Sequence, residues 1–386
     1  MEFELSEEQR AFRDVLRRFA DERIAPVARD WELSGRHPTE IVDGLAELGL
    51  FGILVPEEYG GLALDAVSYG IVFEEISRAW MGIAGFLGTH SLATNLLTRF
   101  GTDEQRRAHL PDLAAGRRIS ALGLTEPGAG SDLQGITTRA VRDGDAYVLN
   151  GVKTWLTNAA IAEPIVVLVV TDPTAEPRHR GLSLLLVDAG LDGVEISGDI
   201  PKLGYHGTSS HEVAFTDVRV PATALLGGEE GLGFKQAVSA LEIGRVNIAA
   251  RSVGLARASY DAAVAYATQR EAFGHPIAEF QAIQLKLADM ATELQAGRLM
   301  WHWAAAAMDA GGRSDLQTGM AKLYCSEMAL RASLTALRVH GGYGFSQEFE
   351  VERYYRDAPL MAIGEGTSDI LRIVIARRLI AGEALS

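Results

Sequence analysis

The spacing of apolar residues changes twice along the chain, and these two changes limit the possible folds more than any single motif does. Between Phe12 and Phe19 the apolar residues recur at the period of an amphipathic helix. Ser6 and Gln9, just before them, have the separation of a capping box, which satisfies unpaired backbone N–H groups at a helix start. Further helices are predicted over about 39–48, 65–78, 83–100 and 103–115.

From about Ile119 to Leu226, short β-type runs replace the helical period. Continuous apolar runs at Ile165–Val170 and Leu182–Val187 are typical of strands that are buried on both faces. The dipeptides Asp143-Gly144 and Asn150-Gly151 tolerate the positive φ angles of tight turns, so each predicts a β-hairpin. Several short strands of this kind favour a β-barrel or a β-sandwich.

Beyond Gly231 the helical period returns in longer stretches, which are predicted as helices over about 234–269, 280–310, 316–340 and 368–380. Long helices with short connections are typical of an antiparallel bundle. The sequence therefore predicts an α+β multidomain protein. Its parts are an N-terminal all-α domain at 1–118, a middle β-barrel or sandwich domain at 119–228, and a C-terminal four-helix bundle at 229–386.

The composition argues against a nucleic-acid partner. The 386 residues include 36 Lys and Arg against 51 Asp and Glu, which gives a formal net charge of −15. Nucleic-acid binding draws most of its affinity from cationic side chains, which are in the minority here.

Targeting, membrane insertion and metal binding are also not predicted. The acidic start Met1–Glu8 lacks the basic and apolar regions of an export signal, so a cytoplasmic protein is expected. The longest apolar run, Ile165–Val170, is far shorter than a membrane helix. The single cysteine, Cys325, excludes an internal disulfide and a Cys-rich metal site. His206 and His211 flank a turn, where solvated loop residues are expected rather than metal ligands.

The most informative segment is Ala358–Ser368, where Glu365 lies between Gly364 and Gly366. We interpret it as an apolar loop that precedes a helix. A carboxylate there loses solvation, which raises its pKa and makes it a better proton acceptor near neutral pH. The alternative is an acid that is favoured only by the helix dipole.

Two segments of the β domain could line a flat ligand. The loop Leu124–Asp132 combines a Pro-Gly turn with the hydroxyls of Thr125 and Ser131. At the end of a predicted strand, alternation places Trp155 and Thr157 on one face. The alternatives are an ordinary turn and a tryptophan in the core.

The C-terminal part contains a glycine-rich turn, Arg338–Phe345, and two cations that need partners, Arg245 and Arg270. The turn follows a helix rather than a strand, so it is not a Rossmann fingerprint, and a helix C-cap is the alternative interpretation. Arg270 could pair with a phosphate of a cofactor or of coenzyme A.

These segments, in this order, resemble the acyl-CoA dehydrogenase family along essentially the whole chain, from Val55–Gly61 to Arg372–Arg377. The resemblance implies the three-domain acyl-CoA dehydrogenase fold, FAD as cofactor and an acyl-CoA as substrate in fatty acid metabolism. It also implies a homo-oligomer, usually a tetramer, and an electron-transferring flavoprotein as electron acceptor.

The resemblance also implies a mechanism. Glu365 would remove the α-proton of the acyl thioester while a hydride passes from the β-carbon to flavin N5, which gives the 2-enoyl-CoA. The thioester carbonyl would be held by the Glu365 backbone N–H and a ribityl hydroxyl of FAD, as in other oxyanion sites.

The same resemblance implies the binding residues. Some of them would hold the pyrophosphate and adenosine part of FAD from a neighbouring subunit. The residues expected at FAD are Leu124, Thr125, Gly130, Ser131, Trp155, Thr157, Arg270, Phe273, Gln281, Arg338, Gly341, Gly342, Thr367 and Asp369. The residues expected at the substrate are Ser131, Glu242, Arg245, Gly364 and Gly366.

Some positions depart from the common family pattern. Gly364 replaces the Tyr of many members, which predicts a wider cavity and a branched or cyclic acyl group. Gly244 occupies the position at which a subset of the family carries its base, so the assignment stays with Glu365. Arg338 and Ala272 replace residues that are more usual at the FAD contacts.

Two alternative functions remain open. The same fold serves flavin-dependent oxidases and monooxygenases, which let oxygen reach reduced flavin. A non-catalytic scaffold that kept the fold is the other alternative, although the presence of Glu365, Trp155 and Thr157 argues against it.

Overall fold

The computed structural model describes residues 4–35, 38–311 and 314–382. Helices, then strands, then helices follow one another, so the predicted α+β architecture is confirmed. The N-terminal helices are α1 (Glu7–Phe19), α2 (Ala28–Ser34), α3 (Thr39–Glu47), α4 (Ala66–Ala79), α5 (Met81–Phe100) and α6 (Asp103–Ala114). The predicted capping box at the start of α1 is confirmed, since Ser6 Oγ accepts from the Gln9 N–H and Gln9 Oε1 accepts from the Ser6 N–H, both at 3.1 Å.

The middle region forms one seven-stranded sheet in the described part of the chain. Its strands are β1 (Ile119–Gly123), β2 (Arg139–Asp143), β3 (Ala146–Thr157), β4 (Ala162–Val170), β5 (Leu182–Val187), β6 (Val194–Ile196) and β7 (Ser210–Pro221). The order is β1-β4-β2-β3-β7-β6, and β5 also pairs with β4. As predicted, β4 and β5 are buried along nearly their whole length, and Gly144 turns the chain between β2 and β3.

The predicted hairpin at Asn150-Gly151 is wrong, because these residues lie inside β3. That strand is central, with β2 on one side and β7 on the other, so its pairing runs straight through the dipeptide. Gly151, at φ 148°, instead forms a β-bulge against β7. The Asn150 side chain bonds to Asp217 across the bulge at 3.0 Å.

A buried ion pair fixes the loop that follows β1. Lys153 is fully buried and donates to Glu126 Oε1 at 2.8 Å, while the Glu126 carboxylate also accepts from the Thr137 and Thr138 N–H groups. Burial raises the pKa of Glu126, but Lys153 and these donors outweigh burial and lower it to about 2. Burial lowers the pKa of Lys153 to about 8. The pair holds the loop against β3.

The C-terminal helices are α7 (Gly233–Gln269), α8 (Gln281–Asp309), α9 (Asp315–His340), α10 (Val351–Ile363) and α11 (Ser368–Ile380). Between α7 and α8 lies a two-stranded hairpin, β8 (Glu271–Ala272) and β9 (His275–Pro276). The bundle centres on α9, which packs against the other four helices. Cys325 of α9 is buried, and its thiol donates to the Gly297 carbonyl.

Helix α10 was not predicted, and the interpretation of residues 358–363 as loop is wrong. Pro359 lies inside α10 and Gly364 ends it, and this pair obscured the helical pattern in the sequence. Burial of Val351, Ala358 and Met361 stabilises the helix in spite of the proline. No helix in the described ranges is both long and apolar enough to cross a membrane.

Replacing Lys153 with Met should lower the free energy of unfolding by about 3 kcal/mol or more, because Glu126 would stay buried without its cation. Urea unfolding followed by circular dichroism measures the loss. The control is Arg107→Met, which breaks the exposed pair of Arg107 with Glu104 and should cost less than about 1 kcal/mol. Equal losses in the two variants would contradict the structural role of the buried pair.

Candidate active site

Glu365 lies in the short loop between α10 and α11 with a strained backbone. Its φ is +53°, a left-handed value that costs a non-glycine residue about 1–3 kcal/mol. Two contacts fix this loop: the Lys322 ammonium donates to the Gly366 carbonyl at 2.6 Å, and Thr367 Oγ1 caps α11 by accepting from the Ile370 N–H. Strain that is held by buried contacts is typical of functional loops.

The Glu365 carboxylate rests on α7 at Gly244. A Cβ atom at Gly244 would lie only 1.9 Å from Glu365 Oε2, so a glycine at this position makes room for the carboxylate. Oε2 is buried and has no hydrogen-bond partner within the described residues. A buried acceptor without a partner is costly, and such an atom is available to a ligand.

Burial raises the pKa of Glu365, against the opposing charges of Arg251, Lys322 and Arg245. The raised pKa strengthens the carboxylate as a proton acceptor, while the three cations keep the ionised form accessible. The prediction of a desolvated acid at Glu365 is therefore supported by the geometry, although the segment before it is helical.

Two predicted substrate residues, Glu242 and Arg245, lie on α7 within two residues of Gly244, and Arg245 is close enough to Glu365 to lower the pKa of the acid. Arg245 is 9% exposed, and its buried Nε has no hydrogen-bond partner among the described residues. Burial lowers the pKa of Arg245, while Asp315, Glu242 and Glu365 oppose this effect. Burial and a hydrogen bond with Asp315 raise the pKa of Glu242 to about 7.

A second set of predicted residues meets at the end of β3. The Thr154 N–H donates to the Thr125 carbonyl at 2.9 Å, which joins the loop 124–131 to this strand end. A bulge at Trp155, whose φ is +63°, turns the indole outward, so that it is 56% exposed rather than in the core. Space is also open beside Gly130, where a Cβ atom would meet only Thr125, at 4.0 Å.

Helix α5 connects this set to the base. The Asn158 side chain, just after β3, donates to the Phe86 carbonyl of α5 at 3.0 Å. Six residues further along α5, Leu92 lies against Gly244, next to the Glu365 carboxylate. Helix α5 therefore contacts both the end of β3 and the part of α7 on which Glu365 rests.

A third set lies at the other end of α7. Arg270, Gly341 and Gly342 line one cleft of about 550 Å³, together with Tyr266 and His340, whose rings stack at 4.2 Å. At 1.5 Å per residue, Arg270 is about 38 Å from Arg245 along the helix. These residues are therefore not brought to Glu365 within one chain.

The remaining predicted cofactor residues are on the surface. Phe273, on the β8–β9 turn, is 94% exposed, and Gln281 and Arg338 are also exposed. Asp369 is exposed and pairs with Arg372 at 3.1 Å.

Sequence reasoning missed Lys322 and Arg251. Both lie in long helices with no motif around them, so no local pattern in the sequence indicates their role. Their positions opposite Glu365 depend on how α7 and α9 pack. Burial lowers the pKa of Lys322 to about 8, and the nearby Glu365 partly offsets that effect.

The described residues contain no cluster of His, Cys, Asp or Glu that could hold a metal. His206 and His211 instead bond to backbone carbonyls, of Lys202 at 2.9 Å and of Ser197 at 2.8 Å.

Comparisons with known proteins give the same family for all three parts of the chain. Models of the acyl-CoA dehydrogenase N-terminal, middle and C-terminal domains match residues 6–117, 121–218 and 231–380. A probable acyl-CoA dehydrogenase of Bacillus subtilis, YngJ, is 44% identical and aligns over 98% of this chain and 100% of its own. A (2S)-methylsuccinyl-CoA dehydrogenase of Cereibacter sphaeroides is 42% identical over 97% of this chain and 70% of its own.

A solved butyryl-CoA dehydrogenase of Megasphaera elsdenii superposes with a TM-score of 0.95 at 35% identity, covering 98% of this chain and 100% of that one. Reductases also occur among the relatives, such as an acryloyl-CoA reductase (NADH) of Anaerotignum propionicum, which is 38% identical over 98% of this chain and 96% of its own.

The fold and these relatives define an FAD-dependent oxidoreductase. The open space beside Gly130 and the exposed Trp155 fit a flat ring at the end of β3. The chain belongs to the acyl-CoA dehydrogenase family.

Replacing Gly244 with Ala should displace the Glu365 carboxylate and lower kcat by about 100-fold, the cost of a misplacement of about 1 Å. Thermal stability should not fall, because alanine favours a helix interior over glycine. Steady-state kinetics and a melting curve measure the two effects. In the control Gly319→Ala on α9 the added Cβ meets only ordinary contacts, the nearest at 3.7 Å, so activity should be kept. Full activity of Gly244→Ala would contradict the contact.

Replacing Lys322 with Met should move the acidic limb of the kcat/KM–pH profile to higher pH. Lys322 lowers the pKa of Glu365, so its removal raises that pKa, and the carboxylate becomes ionised only at higher pH. Lys286→Met, at an exposed lysine of α8, is the control and should leave the profile in place. An acidic limb that stays fixed or moves to lower pH in Lys322→Met would show that Lys322 does not act on the base.

Proposed function

We propose that the protein is an acyl-CoA dehydrogenase in which Glu365 removes the α-proton of an acyl-CoA thioester. The observation that carries the proposal is the buried carboxylate oxygen of Glu365, which has no hydrogen-bond partner in the described chain. A ligand with an acidic C–H bond fits beside such an oxygen, whereas a structural carboxylate would be paired.

The thioester carbonyl needs a donor where negative charge develops. The Glu365 N–H makes no hydrogen bond to another described residue, so it is available for this role. A donor beside the base stabilises the enolate-like charge as the proton leaves. FAD, when bound, supplies the two-electron acceptor for the β-hydrogen, and Thr125, Ser131, Trp155 and Thr157 would hold its ring.

Exclusion of water is the other task of the site. Gly244 of α7, with Leu92 beside it, covers Glu365 Oε2, and desolvation strengthens each electrostatic contact within the site. Glu242 and Arg245 would contact the thioester side of the substrate.

The acyl group is proposed to be short or branched. A Cβ atom at Gly364 would meet only Leu360, at 3.4 Å or more, so the space that a bulky side chain would take is open. The names of the relatives include both a straight four-carbon acyl group and a methyl-branched group with a second carboxylate.

The third set of residues supports a cofactor shared between subunits. Arg270, Gly341 and Gly342 are too far from Glu365 to hold the same FAD within one chain, so we propose that they, with Phe273, Gln281 and Arg338, bind the pyrophosphate and adenosine of a neighbouring subunit's FAD. This requires a homo-oligomer, and a tetramer is proposed. A relative that is named as a subunit of a reductase–Etf complex supports an electron-transferring flavoprotein as acceptor. A cytoplasmic location and a role in fatty acid metabolism remain predictions.

Replacing Glu365 with Gln should keep the yellow FAD spectrum and lower flavin reduction by acyl-CoA about 1,000-fold, since the shape is preserved and the base is lost. Anaerobic stopped-flow spectroscopy with butyryl-CoA measures the rate. Glu327→Gln, at an acid of α9 that pairs with Arg372, is the control and should reduce at the wild-type rate. Flavin reduction by Glu365→Gln at the wild-type rate would refute the proposal.

A further inference from the structure

A buried polar cluster lies beside the base, and apart from the effect of Arg251 on the pKa of Glu365 the proposed chemistry does not use it. We call it the Arg251 cluster; its members are Tyr69, Ser91, Tyr205, Asn247 and Arg251. Tyr69 Oη and Ser91 Oγ are 2.8 Å apart, and Asn247 Nδ2 donates to Tyr69 Oη at 3.0 Å. Arg251 donates to Asn247 Oδ1 at 3.4 Å and to Tyr205 Oη.

The charge of Arg251 has no direct counter-ion. The side chain is 3% exposed, and its hydrogen bonds go to the uncharged groups of Asn247, Tyr205 and the Met81 sulfur. No ion pair joins it to a carboxylate in the described ranges. By contrast, the equally buried Arg353 pairs with both Glu32 and Glu350. Arg251 lowers the pKa of the nearby Glu365 but forms no ion pair with it. A buried cation without an ion pair is costly, so the anion of a ligand is expected to reach it during function.

Arg251 lies on the same face of α7 as the base contact. Gly244, Asn247 and Arg251 have the spacing i, i+3 and i+7, which places them on one stripe of the helix. Long helical side chains lean towards the N-terminus of their helix, so the guanidinium is directed back towards Gly244. The influence of Arg251 on the pKa of Glu365, larger than that of Lys322, agrees with this proximity.

Two glycines of the facing helix α5 also lie against the cluster, beside Ser91 of the same helix. A Cβ atom at Gly85 would overlap Tyr205 Oη, and one at Gly88 would lie 3.2 Å from Asn247 Nδ2. Polar groups therefore line the region between α5 and α7 next to Glu365. An acyl chain whose α-carbon touches Glu365 and that runs along this stripe would end at Arg251.

We propose that the enzyme acts on acyl-CoA thioesters that carry a second carboxylate at the far end of a short acyl chain, and that Arg251 is the counter-ion of that carboxylate. This inference rests on the proposed dehydrogenase function. A methyl-ended chain would leave the polar side chains of the Arg251 cluster buried beside an alkyl group. The alkyl group would offer these side chains no hydrogen bond in place of water. A carboxylate would instead accept charge-assisted hydrogen bonds from Arg251 and a further bond from Tyr205.

The reaction itself is unchanged by the second carboxylate. Glu365 would take the α-proton, and bound FAD would supply the two-electron acceptor for the β-hydrogen and its electron pair, so that the bond between the α- and β-carbons becomes double. The distal carboxylate would stay bound to Arg251 as an anion throughout.

Two pairs of substrates that differ in a methyl or a carboxylate end test the proposal: butyryl-CoA against succinyl-CoA, and valeryl-CoA against glutaryl-CoA. We expect kcat/KM for anaerobic flavin reduction by the wild-type holoenzyme to be at least about 10-fold higher for a carboxylated member than for its partner. Preference for the methyl-ended member in both pairs overturns this inference and leaves the dehydrogenase proposal intact. Reduction by none of the four would instead count against the dehydrogenase function.

Arg251→Gln should reduce the carboxylate-to-methyl ratio of kcat/KM to about one or below. The matched control is Arg257→Gln, which removes a cation from the same helix where it pairs with Glu75, and should keep the wild-type ratio. An unchanged ratio in Arg251→Gln overturns the proposal.

Binding provides a readout that does not depend on turnover or on the folding of the Arg251 variant. In the Glu365→Gln holoenzyme, calorimetry should give a Kd for succinyl-CoA at least about 10-fold lower than for butyryl-CoA. Equal or weaker binding of succinyl-CoA would overturn the assignment of Arg251.

Discussion

The site depends on one carboxylate oxygen, Glu365 Oε2, that is buried without a hydrogen bond to any described residue. Glu365 Oε2 is buried against Gly244, in a loop with a left-handed backbone at the acid itself. An isolated buried anion would take up a proton, and three cations on α7 and α9 oppose this. Burial raises the pKa of Glu365 and makes it a stronger base, whereas Arg245, Arg251 and Lys322 lower the pKa and keep the acid ionised.

The surroundings that set the pKa of Glu365 depend on both helical parts of the chain and on the sheet. Helix α7 supplies Gly244 and two of the cations, while α9 supplies Lys322, which also fixes the base loop through the Gly366 carbonyl. Helix α5 covers the carboxylate and is joined to the end of β3 through Asn158. The surroundings of Glu365 therefore come from three separate helices, α5, α7 and α9, and α5 also contacts the end of β3.

The fold was largely predictable because its signals are local. The capping box at Ser6 and the apolar run at Ile165–Val170 identify a helix start and a buried strand from a few residues each. The Asn150-Gly151 dipeptide misled, since its conformational freedom serves a bulge when partner strands lie on both sides.

The motif around Glu365 located the acid, but Pro359 concealed α10. Arg251 could not be found from sequence, because its neighbours come from α4, α5 and the loop at Tyr205.

Glu365 is proposed to exchange the α-proton of the substrate with solvent. Deuterium incorporation at the α-carbon of butyryl-CoA, measured by mass spectrometry after anaerobic incubation with the holoenzyme in D₂O, tests this exchange. The wild-type enzyme should incorporate deuterium, and Glu365→Gln should incorporate none above the rate without enzyme. Incorporation at equal rates by both enzymes would contradict the assignment of Glu365 as the base.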